Sequence, residues 1–101
     1  MKTITVDELK ERMDAGEKLH ILDVREPYEN AEFNIGGTLI PVGQVMTNYD
    51  AIEDWKNDEI IVYCRSGNRS GQACLMLESA GFTNAKNLIG GMLLWRDKFG
   101  G

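Results

Sequence analysis

A chain of 101 residues with 43% hydrophobic and 27% charged content has room for one domain and one core, burying roughly 60–70% of its unfolded surface, and fits neither a disordered nor a fibrous composition. A formal net charge of −5 excludes general binding to nucleic acid or an anionic membrane, since both need a basic face; any anion site must be local. No apolar run approaches the ~20 residues of a membrane span, which predicts a soluble protein without a secretion signal, and Cys64 and Cys74 have no CxxC or Cys/His spacing for a disulfide framework or zinc. The expectation is a single cytoplasmic domain over residues 1–101, monomeric, with neither metal nor cofactor.

Short apolar, β-branched runs alternate with amphipathic stretches along the chain. "TITV" precedes "DELKERMDAG", where Asp7 can cap a helix that Gly16 ends. "LHILDV" is a second strand, followed by a polar segment, then "TLIPV" and the amphipathic "VMTNYDAIEDW". "EIIVYC" is continuously apolar, as a central strand buried on both faces should be. Beyond it Ala73, Met76, Leu77 and Ala80 keep the i, i+3, i+4, i+7 spacing of a helix before Gly81. "AKNLIG" and "GMLLWRDKFG" complete the alternation. About five strands separated by helical segments predict an α/β domain with a five-stranded, mostly parallel sheet and helices on both faces.

Cys64 ends the central strand and stands in a strand-to-helix turn. Ligands of open α/β sheets bind outside the carboxyl ends of the strands. Ser66, Gly67 and Asn68 permit a tight turn into a helix whose first N–H groups are free to meet an anion. Two arginines, Arg65 and Arg69, and no acidic residue lie between Ile60 and Leu77, a local positive spot on an acidic chain. Helix N-terminus, loop amides and arginine all favour thiolate over thiol and can bring a cysteine pKa to ~3.5–7.5. His20, the only histidine, precedes the second strand near the opposite end, which argues against a Cys–His dyad. Cys74 falls within the helical pattern and is read as a packing residue.

"ILDVREPYEN", "EIIVYCRSGNRSGQA" and "LESAGFTNAKNLIGGMLLW" resemble, in order, the landmarks of single-domain rhodanese sulfurtransferases. The likeness implies a rhodanese-like α/β fold in which Cys64 takes the outer sulfur of thiosulfate or a similar small anionic donor, becomes a persulfide, and passes the sulfur to cyanide or a thiol acceptor. Arg65 and Arg69 would then help bind the donor, while Ser66, Gly67, Asn68 and Ser70 would line the cradle. One departure stands out. The family usually carries a His-Ile-Pro-Gly-Ala-like stretch after the DVR motif, and this chain has "FNIGGTLIPV", with Asn34 and Gly36 at the histidine and proline positions; that bears on the local turn more than on the chemistry.

Asp23 and Arg25 end the second strand and are expected to form an ion pair or hydrogen bonds that fix loops around the site. Glu26 precedes Pro27 as a helix-start or solvated residue. Gly90 and Gly91 allow a close turn into the last helix, and Trp95 is read as core, with Trp95, Met92 or Leu93 as alternative pocket walls. Two rivals remain open. A cysteine phosphatase would carry C-x5-R and an aspartic general acid, whereas this chain has C-x4-R; a persulfide carrier or docking module acting with protein partners fits every residue named.

Overall fold

β4 (Glu59–Tyr63) explains the architecture, because Ile60, Ile61, Val62 and Tyr63 are all fully buried. Alternate residues of a strand face opposite sides, so an uninterrupted apolar run requires cover on both. Burial of each such side chain contributes about 1.5–3 kcal/mol. The computed structural model describes residues 1–101. The other strands are β1 (Lys2–Ile4), β2 (His20–Asp23), β3 (Thr38–Leu39) and β5 (Asn84–Leu88), in the spatial order β1-β5-β4-β2-β3. Every pairing is parallel, and β4 lies at the centre, as its sequence requires.

Ile60, Val62 and Cys64 pack with Ala73, Cys74 and Leu77 of α4 (Asn68–Ser79) and with Val45 of α3 (Val45–Asn48). Ile61 and Tyr63 face the other way, against Leu9 of α1 (Val6–Asp14) and Met92 and Trp95 of α5 (Gly91–Phe99). The expected helical spacing after Cys64 is met: Ala73 and Leu77 are fully buried, with Met76 and Ala80 packed at the edge of the same cluster.

Two local expectations change. The cap of α1 is Thr5, whose Oγ1 accepts from Glu8 N at 3.1 Å. Asp7 lies in the first turn instead, where its carboxylate still meets the positive helix end and pairs with Lys98 of α5 at 2.7 Å. The stretch from residue 42 to 55 forms α3 flanked by two 3₁₀ segments, Val42–Gln44 and Tyr49–Trp55. Ile52 leaves helical geometry (φ −120°, ψ 18°) while its side chain is buried. Thr47, Asn48, Asp50 and Asp54 are weak helix formers, and the apolar anchors decide the path. No helix is long and apolar enough to cross a membrane.

Candidate active site

Cys64 follows the last residue of β4 at the carboxyl edge of the sheet, and the loop after it curls around the sulfur. Gly67, at φ +105°, makes the turn a side chain would resist, and α4 begins at the next residue. Gly67 N reaches Cys64 Sγ at 3.1 Å, Ser70 N at 3.4 Å, and Ser70 Oγ lies 3.3 Å away. Burial pushes the Cys64 thiol up, yet the hydrogen bonds from Ser70 hydroxyl and amide and from the Gly67 and Ser66 amides outweigh it and bring the thiol below its ordinary value. Cys64 is 1% exposed. The groups that hydrogen-bond the sulfur are backbone amides and one hydroxyl.

The far side of the loop is held by α5. Met92 N donates to Cys64 O at 3.0 Å and Leu93 N to Arg65 O at 2.9 Å. Such close docking needs Gly91: at its φ of +54° a Cβ would stand 2.5 Å from Cys64 O and 2.7 Å from Arg65 O. Trp95 lies in the core, edge-on to Phe99. Met92 and Leu93 instead wall a cavity of about 250 Å³ that opens beside Arg65, Arg25, Phe33 and Arg96.

The two loop arginines separate in role. Arg65 is exposed, forms no ion pair, and lines the cavity. Arg69 turns toward α2 (Pro27–Glu32) and clasps Glu29 through both nitrogens, at 2.7 and 2.9 Å. That bidentate bond holds the Glu29 carboxyl down to about 2 despite its burial, and Glu29 Oε1 also accepts from Glu26 N at 3.0 Å, so Glu26 does open the helix before Pro27. Arg69 thus holds its charge in an ion pair with Glu29. Its charge still acts on the Cys64 sulfur through space. The acidic partner comes from 40 residues upstream, outside the window in which no acidic residue occurs. Ser66 and Asn68 are exposed at the rim, and Ser70 is fully buried beneath the sulfur.

Asp23 and Arg25 form the structural pair expected of them. Both are buried; Arg25 Nε and Nη2 donate to Asp23 at 2.9 Å each, and Nη2 also reaches Phe33 O at 2.7 Å. Asn30 Nδ2 completes the carboxylate at 2.9 Å. The guanidinium lies 5.2 Å over the Tyr63 ring, so the pair ties the loop after β2, α2 and the end of β4 together. In the departure from the usual family pattern, Asn34 closes its own turn by accepting from Gly36 N and donating to Asn30 O, at 2.9 Å each. Cys74 is fully buried, and burial pushes its thiol up to about 12, as a packing residue requires.

One residue escaped the sequence reading. Asn87 of β5 is buried and hydrogen-bonds both Ser70 and Gly67. The signal was available: two residues after Ala85, it is a polar side chain at an inward position of a strand.

A rhodanese-like domain family model matches residues 5–98. The chain belongs to the rhodanese-like family. It is 33% identical to the sulfurtransferase of Allochromatium vinosum, over 91% of this chain and 85% of that one. It is also 35% identical to thiosulfate sulfurtransferase PspE of Escherichia coli, over 70% and 69% of the respective lengths. The chain spans 51% of the length of Bacillus subtilis YrkF, to which it is 36% identical over 94% of this chain. Among solved structures, the rhodanese-like domain protein of Staphylococcus aureus superposes with a TM-score of 0.84 at 34% identity, covering 94% of this chain and 91% of that one. The five-stranded parallel sheet is thus that of a rhodanese-like fold.

Proposed function

We propose that the protein is a sulfurtransferase that carries sulfane sulfur as a Cys64 persulfide, from thiosulfate or a similar small anion to cyanide or a thiol acceptor. The observation that carries this reading is the ring of N–H and O–H groups around Cys64 Sγ, which favours a thiolate without a histidine base. The name of the E. coli relative supports thiosulfate as the donor. The thiolate attacks the outer sulfur of thiosulfate; the new S–S bond forms as the donor's S–S bond breaks, and sulfite leaves with the electron pair. Charge is conserved, and no redox partner is needed. Arg65, free at the cavity, is the group that meets the donor's oxygens. Arg69 adds its field from the Glu29 ion pair, while Ser66, Gly67, Asn68 and Ser70 form the cradle.

A phosphatase reading is disfavoured by Asp23, which is locked between Arg25 and Asn30 and has no free oxygen for general acid work. Intact mass after incubation with thiosulfate tests the proposal. One added sulfur, lost in Cys64→Ala, is expected; no addition, or addition that persists without Cys64, overturns it. Comparing sulfur release to cyanide with release to candidate acceptor proteins then separates an enzyme acting on small molecules from a relay.

A further inference from the structure

Asn87 pairs in register with Val62 of β4, so its side chain enters the layer that holds Cys64 and α4. Both ends of its amide are used. Nδ2 lies 3.1 Å from Gly67 O, and Oδ1 lies 2.6 Å from Ser70 Oγ. A carbonyl can only accept, so the amide nitrogen must face Gly67 and the amide oxygen must face Ser70. Ser70 therefore donates its single hydroxyl proton to Asn87. Yet the same Oγ is 3.3 Å from Cys64 Sγ, and with its proton committed it offers the sulfur only lone pairs. A thiol accepts that arrangement, because S–H can donate to Ser70. A thiolate does not, because it needs a donor.

We propose that Asn87 is a positioning residue for Cys64, holding the Ser70 hydroxyl proton while Cys64 is a thiol or a persulfide and yielding it to Sγ when the sulfur is a thiolate. The persulfide half of this inference rests on the sulfur-transfer reading; the thiol half rests on hydrogen-bond geometry alone. When the S–H proton leaves to water, the Ser70 O–H rotates, its bond to Asn87 Oδ1 breaks and one to Sγ forms. When the thiolate then takes up a sulfane sulfur, the negative charge moves to the outer sulfur, Sγ no longer needs a donor, and the Ser70 proton returns to Asn87. Asn87 thereby opposes the free thiolate and favours the loaded protein.

Other charges surround the thiol without entering this chain of bonds. They include Arg65 on the loop, Arg69 and Cys74 on α4, Asp23 at the end of β2 with Arg25 just after it, and Glu29 and Tyr28 on α2, with Glu78 further along α4. The amino terminus also comes to this side, where the Met1 thioether lies near Gly71. None of these charged or titratable groups hydrogen-bonds Ser70 Oγ or the Asn87 amide.

The pH dependence of Cys64 alkylation by iodoacetamide, read at Cys64 by peptide mass, tests the proposal. Asn87→Leu, similar in shape but without either amide group, releases the Ser70 proton to the sulfur; the midpoint falls, raising the thiolate fraction below it about threefold (about half a pH unit). A merely structural role predicts the reverse, since a loosened Gly67 would weaken its bond to Sγ and lift the midpoint. In a Ser70→Ala background the same substitution leaves the midpoint unmoved. Asn87→Asp keeps the acceptor and strengthens its hold, so the midpoint rises, and that rise shrinks at least about twofold when combined with Ser70→Ala, the part carried by charge alone remaining. An unchanged or raised midpoint in Asn87→Leu, or equal shifts with and without Ser70, overturns the inference; should Asn87→Leu fail to fold, the Asn87→Asp pair decides alone. Because alkylation needs no sulfur donor, a protein that shows these shifts but gains no sulfur from thiosulfate refutes the transfer reading and leaves the thiol half standing.

Discussion

The two ends of the sheet hold charge by different means. At the amino end, Glu59 of β4 is clasped by Arg12 at 2.6 and 3.0 Å and by Lys86 at 2.6 Å, while His20 stacks on Trp55 at 4.4 Å and meets Asp58 at 3.3 Å. Long side chains reach in from α1 and β5, and each charge finds a side-chain partner. At the carboxyl end the central group is a sulfur surrounded by backbone N–H groups, and the side-chain ion pairs stand back from it, Arg25 on Asp23 and Arg69 on Glu29. A strand's carboxyl end leads into a turn and a helix N-terminus, where amides are free; its amino end offers no such donors. The difference teaches why the thiol belongs where it is: fixed dipoles stabilise a thiolate without neutralising it, whereas a paired cation would occupy the place of an incoming anion.

The comparison can be broken most severely at Gly91. Gly91→Val would force a Cβ into the carbonyls of Cys64 and Arg65 in a left-handed backbone. A loss of several kcal/mol, or failure to fold, is expected in chemical denaturation, together with a rise of the Cys64 alkylation midpoint in any folded fraction. Asp23→Asn comes next. It leaves the buried Arg25 guanidinium without its carboxylate, an imbalance worth about 3 kcal/mol or more, and should lower the urea midpoint while the Cys64 loop keeps its own hydrogen bonds.

Arg65→Met sharpens the contrast at smaller cost. Arg65 is exposed and unpaired, so the fold should be unaffected, while KM for thiosulfate rises about fivefold to tenfold, the loss of one charge-assisted contact. An unchanged KM would remove Arg65 from the donor site. Arg69→Met should behave differently, reducing thermal stability by freeing Glu29.

What the sequence revealed follows the same division. The buried strand, the tight turn and the helix after Cys64 are local features, written in "IIVYCRSGNRSG" as a run of apolar residues and a glycine, and in Ala73, Met76, Leu77 and Ala80 as a helical period. The Asp23–Arg25 pair was legible for the same reason, its partners lying two positions apart in the sequence. Arg69 and Glu29 lie 40 residues apart and Ser70 and Asn87 lie 17 apart; only the parallel register and the crossover helices bring them together, and no local pattern encodes which arginine will be occupied. The choice of Thr5 over Asp7 as a cap was lost for a subtler cause, since both residue types cap well and the packing of Val6 and Leu9 sets where the helix begins.

The smallest effect is expected at the amino end. Hydrogen bonds from Arg12 and then Lys86 outweigh burial and hold the Glu59 carboxyl down to about 2 from an ordinary 4.5. A carboxyl depressed on folding contributes stability that is fully present above its unfolded value, near 4.5, and is lost as pH falls through about 2. The side chains of Glu59 and Arg12 are each about a fifth exposed, and solvent screening reduces the contribution to about 1 kcal/mol. Glu59→Gln should therefore lower Tm by a few degrees at pH 6 and by progressively less toward pH 2, with KM for thiosulfate and the Cys64 alkylation midpoint unchanged. A shift in that midpoint would mean that the two ends of the sheet are coupled, and that the charge network under β4 takes part in setting the thiol above it.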